Sequence, residues 1–485
     1  MSTSKENKIT SNYIFNLIFQ ILSTLVPLIT TPYLSRILGA EGTGIYSYTF
    51  SITTYFLLFG MLGSSLYAQR EIAYVQDNIK QRSKIFWEII IIRIITLSIS
   101  MLIFYLIYGM KGSYAIYYRI FLLEFIATMI DTGWFFQGIE EFKKIILRGT
   151  IIKLVTIILV FTIIKNPDDL AKYILIYVIS TMLGVLALLP YLKKYVIKIQ
   201  FKELNIKKHI KPILILLIPQ IASQIYTLID RVMIGNILND MAEVGYYEQT
   251  QKIIRLLIMV ITSLGTIMLP RIANDFAKGN EDKIKKYIQK SFNFVFAVAI
   301  PMTIGIILVS NEFVPIFYGK GYDKVVILLK LLSPLIILIG LTNVLGIQYL
   351  LPTKKQKEYN IAIIAGAIIN IFANLICIHY FNSIGACIAT LIAELSIFMI
   401  ELYYVRKKLN FKEYIKISKN YLISCIFMIL ICSLLTNINI SNILKLILKP
   451  ICGGIIYLIT LFILKDEFLM NFMNKFIKKL KKGHQ

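Results

Sequence analysis

Long apolar segments recur along the whole chain, and short polar segments separate them. Each apolar segment holds about 20 residues, which as a helix cross about 30 Å of hydrocarbon. The pattern therefore predicts about fourteen membrane-spanning helices. They are expected at residues 12–36, 43–66, 84–108, 114–137, 145–164, 170–191, 211–237, 249–270, 290–311, 324–350, 357–380, 383–405, 417–437 and 441–464. No small-residue cleavage site follows the first segment, so we expect it to be a retained span and not a signal peptide.

Two parts of the chain, about 200 residues apart, resemble each other. The sequence GIYSYT at 44–49 matches GYYEQT at 245–250, and polar residues of the first span match those of the seventh. The matching polar residues are Gln20, Ser23 and Thr24 in one copy and Gln220, Ser223 and Gln224 in the other. Each copy holds an even number of predicted spans, so both have the same orientation, as in a parallel repeat with a central path.

The predicted fold class is an all-α integral membrane protein. It consists of two six-helix bundles related by the parallel repeat and two further C-terminal helices. We expect an N-terminal lobe at residues 1–200, a C-terminal lobe at 201–410, two extra transmembrane helices at 411–464 and a basic cytosolic tail at 465–485. Chance similarity between two apolar segments is the alternative to a true duplication.

The composition also favours an integral membrane protein. Hydrophobic residues make up 57% of the 485 residues and charged residues 16%, and the mean hydropathy is +0.71. A soluble protein cannot bury that much apolar surface. The cysteines all lie in apolar segments without CxxC spacing, so we expect buried small side chains and neither a disulfide nor a metal site. They are Cys377, Cys387, Cys425, Cys432 and Cys452.

The formal net charge of +25 is unevenly distributed among the loops. Counted from a cytosolic N-terminus, alternate loops carry clusters of Lys and Arg, for example at 193–211 and 406–419, while the intervening loops carry few. This is the positive-inside asymmetry, and it predicts a protein of the cytoplasmic membrane with both termini in the cytosol. The excess charge then reflects topology and contact with anionic lipids, and we expect no nucleic-acid partner.

Polar residues recur at helical spacing in several spans and therefore share one helix face. Gln20 belongs to such a stripe in the first span, and Gln220 and Gln224 to the matching stripe in the seventh. Stripes of hydroxyl groups are equally well explained by helix–helix packing. Cations within a span cost at least about 2.5–3.5 kcal/mol each, so they usually face water, a partner or a ligand.

The intramembrane cations outnumber the acids near them and predict a net positive chamber. Those toward the outer side are Arg36, Arg231, Lys252 and Arg255, and those that lie deeper are Arg93 and Lys153. Such a chamber favours an anion, and phosphate suits arginine especially well.

Three intramembrane acids are candidates for coupling to an ion gradient: Asp131, Asp230 and Glu394. Each can instead neutralise a neighbouring cation, as Asp230 can beside Arg231. The chain has no GxxxxGK[ST] segment, no dinucleotide fingerprint and no HExxH, and it has only three histidines. We therefore expect no cofactor, and transport rather than catalysis.

Four segments carry a resemblance to a known family: PYLSRILGAEGTGIYSY (32–48), WFFQGIEEFKKI (134–145), DRVMIGNIL (230–238) and LLPTKKQKEYNIAIIAGAIINIFANLICI (350–378). They resemble the Wzx-type polysaccharide flippases of the multidrug/oligosaccharidyl-lipid/polysaccharide exporter superfamily. The resemblance implies two six-helix bundles in a V shape, a monomer, and transfer of an undecaprenyl-diphosphate-linked sugar repeat unit from the inner to the outer leaflet. It also implies a lipid-linked oligosaccharide diphosphate as partner, with polysaccharide polymerase and glycosyltransferases as further candidates.

The WFFQGIEEFKKI segment ends the fourth span, which runs inward, so Trp134 and Gln137 fall at its cytosolic mouth. We expect Trp134 to anchor at the interface and, as a hypothesis, to stack on an entering sugar. Four charged residues beyond them are candidates for a gate of ion pairs: Glu140, Glu141, Lys143 and Lys144. The alternative is an interfacial anchor followed by a helix end.

Three other functions remain open on the sequence. A lipid II flippase of cell-wall synthesis would also need cations for a diphosphate. A cation-coupled multidrug exporter of the same superfamily would favour an acidic pocket. A membrane-embedded glycosyltransferase or polymerase would need a large external loop or an acidic catalytic cluster, and the external loops here are short.

Overall fold

The computed structural model describes the backbone of residues 2–409, 411–471 and 473, and side chains at residues 26–217, 220–221, 224, 227–409, 414–471 and 473. Every regular element in this part of the chain is a helix, which confirms the predicted all-α fold class.

The chain folds as two compact units. The first comprises residues 1–235 and 239–245, and the second comprises residues 236–238 and 246–485. This boundary lies later than the predicted end of the N-terminal lobe at residue 200, because the helix that follows the linker packs into the first unit. The division into repeat-related lobes stays a prediction.

The first unit is built from α1 to α9, with a π-helical turn continuing α3. These elements are α1 (Ser2–Met61), α2 (Ser64–Tyr74), α3 (Ile79–Phe104), the π turn (Tyr105–Gly109), α4 (Ala115–Ile130), α5 (Gly133–Gly138), α6 (Phe142–Ile163), α7 (Leu170–Leu186), α8 (Leu189–Leu192) and α9 (Lys207–Leu238). Asn78 starts α3 as an N-cap, since its side chain accepts a hydrogen bond of 3.0 Å from the backbone N–H of Gln81.

The second unit is built from most of α10 and from α11 to α16. These elements are α10 (Met241–Ala277), α11 (Glu281–Phe317), α12 (Asp323–Leu332), α13 (Leu335–Thr342), a π-helical segment (Asn343–Leu350), α14 (Gln356–Val405), α15 (Phe411–Asn437) and α16 (Asn442–Ile463). Ser441 caps α16 by accepting a hydrogen bond from the backbone N–H of Leu444.

The predicted number of about fourteen spans is not confirmed. Ten helices within the described residues are long and apolar enough to cross a membrane, or up to eleven if the bent pair Val26–Met61 and Ser64–Tyr74 is one span. Two of the helices contain two predicted segments each, because one non-helical residue breaks α1 at Gly39 and α14 at Asn382. Both residues have positive φ, 67° and 56°, a conformation that glycine and asparagine adopt most readily.

The two halves of α14 fold back on each other at Asn382. A Cβ at Gly385 would collide with the backbone of Cys377, and one at Gly366 would collide with the side chain of Ile397. Glycine at these positions therefore permits the close approach of the two halves. The break lies between the predicted spans 357–380 and 383–405.

A cluster of buried aromatic and aliphatic side chains joins α2, α3, α5 and α9 in the first unit. Its members include Tyr67, Phe86, Phe135, Phe136 and Ile213. Because Ile213 contributes to this core, the beginning of α9 is fixed to the first unit.

The last two helices, α15 and α16, pack on each other and on α11. A buried ion pair secures this contact: Lys449 Nζ lies 2.6 Å from Glu312 Oε1 and also donates to the Leu308 carbonyl at 3.0 Å. This ion pair was not predicted from the sequence.

Candidate functional site

The fourth predicted span is broken by two residues. Helix α4 ends at Ile130 and α5 begins at Gly133. Asp131 lies in this break, where its carboxylate accepts a hydrogen bond of 3.1 Å from the backbone N–H of Gly133. The Trp134 indole donates to the Asp131 carbonyl at 2.9 Å. The polar residues at this position thus stabilise the start of a short second helix.

Two arginines flank this break. The Arg93 guanidinium donates to the Thr128 carbonyl at 2.8 Å, and Arg148 donates to the Gly184 carbonyl at 2.8 Å. Both arginines interact electrostatically with Asp131, and so does the carboxylate of Glu124. Two arginines and a second acid therefore lie near Asp131.

Arg93 is only 1% exposed and lies within the first unit. Its remaining interaction, at 3.4 Å, is with the hydroxyl of Ser65. In this conformation Arg93 is thus enclosed by the first unit, and its contact with a substrate stays a prediction. Asp131 has cations as neighbours, as the alternative reading of this acid expected.

A cleft of about 500 Å³ opens beside the break, between α2, α5 and the beginning of α9. Its lining is Leu66, Gln69, Arg70, Ala73, Gln137, Gly138, Glu140, Phe142 and Leu216. Gly138 permits the close packing of α5 on α2, since a Cβ there would lie 2.8 Å from the side chain of Ile72. The polar lining of the cleft therefore includes the side-chain amides of Gln137 and Gln69 and the guanidinium of Arg70.

Trp134 does not line this cleft. Its indole is 2% exposed and stacks on Phe86, with ring centroids 5.7 Å apart and an interplanar angle of 24°. In this conformation Trp134 therefore faces the protein core, and its stacking on a sugar stays a prediction. The neighbouring aromatic core takes up its ring because α5 is a separate short helix and not the end of α4.

One of the predicted gate pairs is present. Lys144 Nζ lies 3.4 Å from Glu141 Oε2 and donates to the Tyr195 hydroxyl at 2.6 Å. Glu140 lines the cleft, with a positive φ of 59°. The charged residues after α5 thus connect the beginning of α6 to the linker that precedes α9.

The acid and cation near the end of α9 are buried in the first unit. Asp230 and Arg231 are both 5% exposed, and both interact electrostatically with the phenol of Tyr55. On the same helix the Gln220 amide lies against Gly63, and Gln224 accepts a hydrogen bond from Thr227. The side chain of Gln20 lies outside the described residues.

The cations of α10 belong to the second unit and are accessible. Arg255 is exposed, and Lys252 is partly exposed at a distance of 3.9 Å from Glu248 Oε1. Both lie on one face of the helix because they are three residues apart. Arg36 is exposed in the first unit, and Lys153 is partly buried on α6. Lys252 and Arg255 are thus the best placed of the predicted cations to meet an anion.

The sequence analysis missed a buried polar cluster around Glu88. The Glu88 carboxylate accepts hydrogen bonds from the backbone N–H of Asn205 at 2.6 Å and from His209 Nε2 at 2.7 Å. It also pairs with Lys208 Nζ at 2.9 Å, and His209 Nδ1 lies 2.8 Å from the Tyr67 hydroxyl. These partners are separated by more than 100 residues in the chain, so no local pattern could have predicted them.

Among the described residues, no group of three or more His, Cys, Asp and Glu is placed to hold a metal ion. Three acids that the sequence singled out, Asp131, Asp230 and Glu394, lie in different surroundings. The first two have arginine neighbours, whereas Glu394 is buried on α14 and interacts with a second acid, Glu401.

Comparison with known proteins decides the family. A family model described as polysaccharide biosynthesis protein matches residues 9–276, more than half of the chain. A putative O-antigen transporter of Escherichia coli (strain K12) is 26% identical over 411 residues, which cover 84% of this chain and 98% of that protein. The chain belongs to the Wzx-type polysaccharide flippases.

The wider relationships of this flippase lie within the same superfamily. A model described as lipid II flippase MurJ matches residues 149–452, and the lipid II flippase MurJ of Bacillus subtilis (strain 168) is 27% identical over 143 residues, 29% of this chain and 26% of that protein. Among solved structures, lipid II flippase MurJ in an inward closed conformation has a TM-score of 0.72 at 18% identity, covering 94% of this chain and all of that one.

An inward-facing multidrug resistance MATE transporter of the MOP superfamily is also similar, with a TM-score of 0.63 at 16% identity over 79% of this chain and 94% of that one. At these identities the likeness concerns the fold. The flippase is therefore a multi-pass membrane transporter of polysaccharide biosynthesis and not an enzyme.

Proposed function

We propose that this flippase moves an undecaprenyl-diphosphate-linked oligosaccharide from the inner to the outer leaflet of the cytoplasmic membrane by alternating access, with both termini in the cytosol. The match along nearly the whole of a putative O-antigen transporter supports the substrate class. The clusters of Lys and Arg in alternate loops support the orientation.

The observation that carries the proposal is the accessible cationic face of α10. Arg255 is exposed, and Lys252 lies three residues earlier on the same face. A diphosphate offers several charged oxygens, and a guanidinium can bind two of them at once. Arg255 is the more exposed of the two side chains, so we expect it to be the main contact for the diphosphate.

The cleft of the first unit is the proposed contact for the glycan on the cytosolic side. Its volume of about 500 Å³ lies within the range of small-molecule sites, about 300–1,000 Å³. The amides of Gln69 and Gln137 donate and accept hydrogen bonds, which suits sugar hydroxyls. Arg70 adds a charged donor, although its guanidinium already binds Glu71 at 3.0 Å.

The test is flipping by the full chain in proteoliposomes, with a fluorescent undecaprenyl-diphosphate-linked oligosaccharide as the probe. An impermeant quencher measures the fraction of probe in each leaflet. Each charge-assisted contact contributes about 1.5–3 kcal/mol, so Arg255→Ala should lower the flipping rate roughly ten- to hundredfold. Arg255→Lys should restore part of it, because a point charge replaces the bidentate group.

Two variants serve as controls. Arg271→Ala removes an exposed arginine farther along α10, and Ser51→Ala removes a buried hydroxyl that donates to the Ser47 carbonyl. Both should flip the probe at nearly the wild-type rate. If Arg231→Ala, Lys252→Ala and Arg255→Ala all retain full activity at normal amounts in the membrane, these cations do not bind the diphosphate.

A lipid II flippase is the second candidate, because the MurJ family model matches residues 149–452. The same proteoliposomes can be loaded with fluorescent lipid II. Faster flipping of lipid II than of the oligosaccharide probe would replace the proposed substrate. Export of a lipophilic cation without flipping of either lipid would instead favour the multidrug exporter.

A further inference from the structure

Glu401 is a wholly buried acid near the end of α14. Its side chain is 0% exposed, and neither carboxylate oxygen has a hydrogen-bond partner among the described residues. No ion pair within 4.0 Å involves this residue in the described part of the chain. A buried polar group without partners is uncommon in folded proteins and calls for an explanation.

The surroundings of Glu401 are tightly packed. The carboxylate lies against Gly346 in the π-helical segment, so that a Cβ at this glycine would collide with Glu401 Oε1. The ring of Tyr359 packs against the same glycine and interacts electrostatically with Glu401. π-Helical turns within longer helices frequently occur at functional sites.

Within the described part of the chain, the titratable groups that interact with Glu401 are an acid and a phenol, and none is a cation. Glu394 lies two turns earlier on the same face of α14, is also buried, and interacts electrostatically with Glu401. Burial disfavours the charged form of a carboxyl group, and a second carboxylate nearby disfavours it further. The neutral acid is the form that these surroundings accommodate.

We propose that Glu401 is a proton-binding site of the second unit, occupied in this conformation and emptied only when α14 separates from the π-helical segment. Proton release creates a carboxylate that needs water or a cation, and the packing against Gly346 and Tyr359 excludes both. Opening of this contact and loss of the proton are therefore linked. The ligand is a proton. The Glu401 carboxylate accepts it, and the packing of Gly346 and Tyr359 closes the site.

Glu401 is not one of the three acids that the sequence suggests for coupling to an ion gradient. Asp131 interacts electrostatically with Arg93, and Asp230 precedes Arg231 directly in the chain. Glu401 has no such neighbour in the described part of the chain. Its role in transport rests on the proposed flippase function, whereas proton binding itself does not.

Infrared difference spectroscopy of the full chain in nanodiscs tests the site directly. At neutral pH the wild type should show the C=O stretch of a protonated carboxylic acid, shifted by deuteration. Glu401→Gln should remove this band, and Glu358→Gln, a partly exposed acid on the same helix, should leave it. A band absent from the wild type, or one that survives in Glu401→Gln, overturns the proposal.

Gly346→Ala provides a second measurement that keeps the acid. The added methyl group must displace the Glu401 carboxyl, so the band should shift or vanish. An unchanged band would show that the acid in question is not the one packed against Gly346, which also overturns the proposal. This variant keeps the test decisive if Glu401→Gln fails to fold.

The role of this proton in transport is tested in the proteoliposome assay, with the fluorescent undecaprenyl-diphosphate-linked oligosaccharide and with or without an imposed pH gradient. The gradient should accelerate flipping by the wild type, and the ratio of the two rates should fall to one in Glu401→Gln. An unchanged ratio overturns the link between this proton and transport. If the wild type flips no probe at all, the proposed function fails, while the infrared result still decides whether Glu401 holds a proton.

Discussion

Glu88 and Glu401 are both buried carboxylates, but the hydrogen-bond donors around them differ. Both side chains are 0% exposed. Glu88, in the first unit, accepts from Asn205, Lys208 and His209 at 2.6–2.9 Å. Glu401, in the second unit, has no hydrogen-bond partner in the part of the chain that the structure describes. Burial alone therefore does not determine the state of an acid, because the chain that packs against it supplies or withholds donors.

The difference follows from which chain segment reaches each acid. The linker before α9 is polar and basic, and it lies against α3 through further contacts, such as that of Trp87 Nε1 with the Ile197 carbonyl at 3.0 Å. The segments against Glu401 carry a glycine and a tyrosine instead. We infer that Glu88 fixes a structural connection, whereas Glu401 exchanges a proton.

A third acid shows that the second unit can also neutralise a carboxylate. Glu312 on α11 pairs with Lys449 on α16 at 2.6 Å, with both side chains almost fully buried. The partner comes from α16, the last of the helices described above. Glu312 and Glu401 thus belong to the same unit, but among the described residues only Glu312 has a cation as its partner.

Lys449→Met is expected to have the largest effect on stability. It leaves Glu312 buried and uncompensated, which costs about 3–5 kcal/mol. Thermal melting of the full chain in detergent should show a markedly lower Tm. The double variant Lys449→Met/Glu312→Met should recover most of it, because a well-packed apolar pair can replace a buried ion pair. A wild-type Tm for Lys449→Met would mean that the ion pair does not secure α16.

Glu88→Gln should have an intermediate effect. The amide retains an acceptor for Asn205 but loses the charge that binds Lys208 and His209, and hydrogen bonds to charged groups contribute about 1.5–3 kcal/mol. The same melting experiment measures it. Glu203→Gln is the control, since Glu203 forms an exposed ion pair with Lys80 at 3.1 Å, which contributes about 0–1 kcal/mol. Equal melting of the two variants would contradict a structural role for Glu88.

Glu401→Gln should have the smallest effect on Tm. Glutamine matches the size of the neutral acid, and no ion pair is lost. Its Tm should therefore stay close to that of the wild type, well above that of Glu88→Gln. If Glu401→Gln destabilises the protein as much as Glu88→Gln does, Glu401 is an ionised acid, and the contrast between the two regions disappears.

Part of the candidate site follows from the sequence. Gln137 was predicted at the end of the fourth span and lines the cleft, and the pair of Glu141 with Lys144 was predicted as well. The burial of Trp134 does not follow from the sequence, because an indole beside charged residues suggests an interface. The break at Asp131 turns the next residues into a separate helix, which directs the indole into the core.

The sequence by itself determined the helices, the family and the accessible cations of α10. Apolar segments of sufficient length form helices in lipid because every backbone group must be satisfied within the segment, and this requirement is local. The positions of Lys252 and Arg255 on one face follow in the same way from helical spacing.

Only the tertiary structure decided which polar groups meet. Arg93 with Thr128, Glu88 with His209 and Glu312 with Lys449 are contacts between different helices. Helix periodicity fixes the face on which a residue lies, but not the neighbour that packs against that face. The surroundings of Glu401 could not be predicted for the same reason, because they consist of Gly346 from the π-helical segment and Tyr359 from the first half of α14.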